Sequence, residues 1–72
     1  MRAELIIFGL GYTPERGWTC DVEIPQIGFR QDGVALAGRT RDEALRSLRA
    51  MLPIQSFWIC TYLPPRSFYK NF

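Results

Sequence analysis

The chain has 72 residues, 47% of them hydrophobic and 22% charged, the balance of one small globular domain and not of a disordered segment. A chain this short buries only about 60–65% of its unfolded surface, so a single thin core must suffice. Histidine is absent, which removes the usual neutral-pH general base and the commonest zinc ligand together.

A net charge of +2 conceals an asymmetry. Every acidic residue lies at or before Glu43, and beyond it come Arg46, Arg49, Arg66 and Lys70 with Phe57, Trp58, Tyr62, Phe68, Tyr69 and Phe72. Such asymmetry bears on what a surface attracts more than on fold. No apolar run reaches membrane-spanning length, and Arg2 and Glu4 ahead of a short hydrophobic stretch do not make a signal peptide. A cytoplasmic setting is the expectation, which favours Cys20 and Cys60 as reduced, partly buried thiols over the alternative of a structural disulfide between them.

In chain order, residues Ala3 to Leu10 are aliphatic, aromatic and β-branched and predict a first strand. Gly11 to Gly17 is a turn, with Pro14 placed to start it and Gly17 to end it. From Trp18 to Ile24 the pattern alternates. Trp18, Cys20, Val22 and Ile24 share one face, and Thr19, Asp21 and Glu23 share the other, as in a half-buried strand. The two strands predict an antiparallel hairpin, which Pro25 terminates because it has no amide to donate. Gln26 to Gly33 reads as loop with a short extended piece at Ile27 to Arg30, and Val34 to Ala37 as a short third strand stopped by Gly38.

Thr40-Arg41-Asp42-Glu43 fits the capping box, with the Thr40 hydroxyl accepting from the Glu43 amide and the Glu43 carboxylate reaching back to the Thr40 amide. A helix over Arg41 to Leu52 follows, with Ala44, Leu45, Leu48, Met51 and Leu52 as its apolar stripe and Arg46 and Arg49 opposite. Pro53 stops it. Gln55 to Tyr62 predicts a last strand, in which about two of Phe57, Trp58, Ile59 and Tyr62 should be buried. Pro64-Pro65 ends that strand and an extended tail follows. The order is β-β-β-α-β: an α+β domain over residues 1–63, a three- to four-stranded antiparallel sheet on one helix, with a tail over 64–72.

Catalytic constellations are hard to assemble from these residues. Ser47, Ser56 and Ser67 have no histidine to serve them. Asp21 with Glu23 reads as a solvated strand face and Asp42 with Glu43 as a helix N-terminus, more than as cation sites. Cys20 sits on an apolar strand face, where a thiol is core and not nucleophile. Gly9-Leu10-Gly11 lacks the third glycine of a dinucleotide fingerprint, position 14 being Pro14. No metal, cofactor or catalytic activity is expected.

The first strand, the Thr13–Gly17 turn, the Trp18–Pro25 strand with Glu23, Gly38 and the Thr40-Arg41-Asp42-Glu43-Ala44-Leu45 helix start together resemble the HicB-like antitoxin domain. The likeness spans about residues 5–52. It implies a degenerate RNase-H-like βββαβ scaffold without catalytic carboxylates, used to cover a partner. The chain departs from that pattern where a Pro-x-x-Pro-Gly turn is reduced to Pro25-Gln26-Ile27-Gly28, and where no DNA-binding segment follows the last strand. Operator binding is therefore not expected.

The function anticipated is a non-enzymatic binding protein that occludes a larger one. Its partner would be a small ribonuclease toxin, or a host enzyme such as bacterial RNA polymerase approached by a phage-type regulator. Arg41, Arg46, Arg49, Arg66, Phe68, Tyr69, Lys70 and Phe72 are the expected partner-binding residues, because arginine and large aromatics dominate interface hot spots, with packing of Phe68, Tyr69 and Phe72 back across the sheet as an equal alternative for the tail. The alternative is direct nucleic-acid binding through the arginine face and the tail. No membrane partner is expected, and an unpaired sheet edge leaves the oligomeric state open.

Overall fold

The computed structural model describes residues 2–69. Four strands, β1 (Glu4–Thr13), β2 (Gly17–Ile24), β3 (Phe29–Leu36) and β4 (Ile59–Leu63), form one sheet of order β3-β2-β1-β4. One helix, α1 (Arg41–Met51), lies between β3 and β4 in sequence. The α+β class and the β-β-β-α-β order are those read from the sequence. The sheet is mixed, however: β1–β2 and β2–β3 are antiparallel, but β4 joins β1 in parallel. In a meander β1 and β3 run the same way, so one helical crossover from β3 returns the chain to run alongside β1 in that direction.

The first strand continues past Leu10 because Gly9 makes a bulge. Gly9 adopts φ +62°, and the β1–β2 register shifts between Phe8 and Gly11. One extra residue moves the inward face from Leu5 and Ile7 to Leu10, which packs on the core, and sets the exposed Tyr12 ring against Trp18, their centres 5.8 Å apart. Without the insertion Gly9 and Gly11 would occupy the inward positions and leave nothing to bury.

A 3-10 turn over Pro25–Ile27 follows β2, closed by Gly28 at φ +64°. The Gln26 carboxamide accepts from the Glu4 amide at 2.9 Å and donates to the Glu4 carboxylate, while the Pro25 carbonyl accepts from Gly28. The third strand is longer than its sequence suggests. Arg30 and Gln31 pair with Glu23 and Val22, and Asp32 and Gly33 form a second irregularity opposite Asp21, where the Gly33 amide donates to Asp21 Oδ1 at 2.8 Å.

The core is the inward face of β1 to β3 (Leu5, Ile7, Cys20, Val22, Ile24, Val34, Leu36) closed by Ala3, Ala44, Leu48 and Leu52. Thr40 caps α1: its Oγ1 accepts from the Glu43 amide at 3.2 Å, while the Glu43 carboxylate accepts from the Thr40 hydroxyl and not from its amide. The helix stops one residue earlier than expected. Leu52 precedes Pro53, whose ring disfavours the helical region, and takes φ −83°, ψ 148°. Met51, placed in the apolar stripe by periodicity, is 53% exposed in the last turn.

Candidate binding surface between the helix and the last strand

At 100° per residue, Arg41, Leu45 and Arg49 form an i, i+4, i+8 row along one flank of α1. That flank faces β4. The Arg41 guanidinium lies 4.8 Å from the centre of the Tyr62 ring, and that of Arg49 lies 6.0 Å from the Phe57 ring. Arg2, entering β1, lies 5.4 Å from the Trp58 ring. The helix and the 57–62 segment thus interleave cations and aromatic faces, each contact within cation–π range.

None of the four residues expected to supply two buried side chains is buried. Phe57 is half-buried, and Trp58, Ile59 and Tyr62 are exposed, Trp58 the most at 59%. The cause is position. Among the described strands β4 is a sheet edge, with β1 on one side only. Burial raises the Tyr62 hydroxyl above its usual 10.0, aided by the Cys60 thiol beside it, and Arg41 and Arg49 oppose the rise.

The predicted partner-binding residues do not form one site. Arg41 and Arg49 flank the β4 edge, whereas Arg46 is exposed and lies further round the helix, away from the sheet. Arg66 is on the opposite face. Residues Arg66–Tyr69 form a 3-10 turn in place of an extended tail, and Arg66 crosses the outer sheet surface. Its guanidinium bonds Glu23 at 2.8 Å and Asp32 at 2.7 Å and lies 4.3 Å from the Phe8 ring centre. Lys70 and Phe72 lie outside the described residues, as do the side chains of Phe68 and Tyr69.

Three of the four paired acids, Asp21, Glu23 and Glu43, are occupied too. Asp21 accepts from Gly33, Glu23 holds Arg66, and Glu43 bonds the Thr40 hydroxyl. Cys20 and Cys60 are free thiols. Burial, with the charge of Asp21 beside it, pushes the Cys20 thiol up to about 11, the opposite of what a nucleophile needs. Among the described residues no concave pocket opens and no three metal-ligating side chains gather. No described helix is long and apolar enough to cross a membrane.

Arg2, Phe57, Trp58 and Tyr62 were not singled out as binding residues by sequence. A signal for them existed in the single buried face of an edge strand, but the sequence does not say which strand is the edge. No family model matches the chain, and comparisons with characterised proteins and with solved structures found no match.

Proposed function

We propose that this chain is a non-catalytic binding module that inhibits or modulates a larger protein by occlusion, docking through the α1–β4 surface. One observation carries the reading: Arg41 and Arg49 stand over Tyr62 and Phe57 beside a sheet edge that no described strand pairs. Exposed aromatics and arginines held in fixed geometry lose little side-chain freedom on binding, which is what makes such residues hot spots. The partner is a small ribonuclease toxin, as the likeness to HicB-like antitoxins and the shared βββαβ order support, or a host enzyme such as RNA polymerase met by a phage-type regulator.

A second reading, nucleic-acid binding, is favoured by one fact. Arg41, Arg46 and Arg49 have no carboxylate partner among the described residues, so their charge is available to phosphate. Salt separates the two. The tagged chain is used to capture partners from a bacterial lysate at rising salt, beside an Arg41→Glu/Arg49→Glu variant. Docking on a protein predicts a defined protein retained through high salt by the native chain and lost by the variant. Retention of nucleic acid alone, released steeply as salt rises, overturns the protein-docking reading, as does a partner that the variant keeps unchanged.

A further inference from the structure

The two edges of the sheet are not alike. β3 carries Arg30 and Asp32, has Gly33 at φ +65° and is irregular against β2, devices that discourage pairing with another chain. β4, Ile59-Cys60-Thr61-Tyr62-Leu63, has no charge, no proline, no glycine and no irregularity in its register with β1. Every second residue of such an edge turns its amide and carbonyl outward, where only solvent or another strand can meet them.

The described start of the tail leaves that edge open. Pro65 lies against Gly9, and Arg66 reaches over β1 to Glu23 on β2 and Asp32 on β3, away from β4.

We infer that the free edge of β4 accepts an extended, acidic segment of a protein partner as a fifth strand, with its carboxylates taken by Arg41 and Arg49. The inference rests on the docking reading above and gives it a chemistry. Strand addition supplies backbone hydrogen bonds, and the side chains on alternate positions supply selectivity. Arg41 and Arg49 are eight residues apart on the helix, about 12 Å at the α-helical rise. An added strand advances about 13–14 Å over four residues, and residues i, i+2 and i+4 share a face. Acids at i and i+4 therefore meet the two arginines, and the residue between them meets Leu45, which is half-buried against the core. The recognised pattern is acid-x-apolar-x-acid in an extended chain.

A second copy of this chain fits the edge poorly. Two-fold pairing of β4 with β4 would place both helices on one side of the joined sheet and bring like-charged arginine rows together, which disfavours the pair. The arginine row selects for negative charge.

The test uses a capped, fluorescein-labelled peptide, Thr-Thr-Glu-Thr-Val-Thr-Glu-Thr-Thr. One control replaces both Glu by Lys, and another moves the second Glu one position earlier so that the acids point to opposite faces. Anisotropy should show the first peptide binding at least about tenfold more tightly than either control, the scale that two close charge pairs supply. Arg41→Gln with Arg49→Gln should remove that preference, and hydrogen exchange should show new protection at Ile59–Leu63. Both substitutions are on exposed residues, and the circular dichroism spectrum checks that the fold is kept. No saturable binding at millimolar peptide, equal binding of the Lys control, or protection appearing at β3 instead overturns strand addition. If the peptide fails while a lysate partner is still lost on reversing Arg41 and Arg49, strand addition falls and the docking reading stands.

Discussion

Pro65 lies directly over Gly9, so that a Cβ placed on Gly9 would stand 3.2 Å from the Pro65 Cα, Cβ and Cγ. The bulge that keeps β1 in register is therefore also where the chain leaving β4 crosses the sheet. One residue serves both because it has no side chain and can hold φ +62°.

Glycine substitutions should rank by what the new methyl meets. At Gly28 and Gly33 nothing lies within 4 Å, and only the left-handed backbone resists, at about 1–2 kcal/mol. Gly9→Ala adds the contact with Pro65. Gly38→Ala should be worst: at φ +133° its Cβ would meet the Glu43 Cβ at 2.7 Å and the Ala44 amide nitrogen at 2.9 Å, at the first turn of α1. Urea unfolding of the four variants should give that order. Equal losses would mean that backbone strain alone sets the cost.

Arg66 ties the end of the chain to two strands, so its removal should be felt beyond the tail. With a 19% exposed side chain, two carboxylates and a ring beneath it, Arg66→Ala should cost about 1–2 kcal/mol, above the usual range for exposed pairs. Arg66→Lys should recover less than half of that, because an ammonium lacks the planar fork whose Nη1 and Nη2 reach Asp32 and Glu23 while its face lies on Phe8. A double-mutant cycle with Glu23→Gln measures the coupling, and a coupling near zero refutes the strap.

What could be read from sequence was what local physics specifies. The alternation from Trp18 to Ile24 and the Thr40 cap on the Glu43 amide each act within a few residues and stand where the sequence puts them, and Pro53 ends the helix within one residue of the predicted stop. The parallel pairing of β4, the union of Phe29–Leu36 into one strand and the exposure of Trp58 depend on partners far away in the chain. Arg66 shows the limit most plainly. Its surroundings in sequence, Pro64-Pro65-Arg66-Ser67, say extended tail, and only the fold brings Glu23 and Asp32 beneath it. Of the expected site, Arg41 and Arg49 are joined by aromatics whose β-propensity made them look like core.

The two thiols should differ sharply. Cys20 is 3% exposed on β2, whereas Cys60 is half-buried on β4, so a thiol reagent should modify Cys60 first and Cys20 only as the protein unfolds. Titration gives a second measurement. The folded pKa of Cys20, about 11, stands above the ordinary 9.0, so burial of the neutral thiol contributes stability in full below about pH 9. That contribution should be lost as pH rises toward 11, and Cys20→Ala should flatten the decline. A Cys20 that reacts as fast as Cys60 in the folded protein would contradict the burial.

Trp18 offers a test of the opposite sign. Its indole packs on the core and against Tyr12, but Nε1 is buried with no hydrogen-bond partner among the described residues. An unsatisfied buried donor costs about 1–3 kcal/mol. Trp18→Phe removes that donor and keeps a ring for Tyr12, while giving up apolar contact worth roughly the same amount. The net change should lie within about 1 kcal/mol of zero, far from the 3–5 kcal/mol typical of deleting a large aromatic, which Trp18→Ala should approach. Chemical denaturation of both variants decides it. A Trp18→Phe loss as large as that of Trp18→Ala would mean that the indole nitrogen already has a partner in solution.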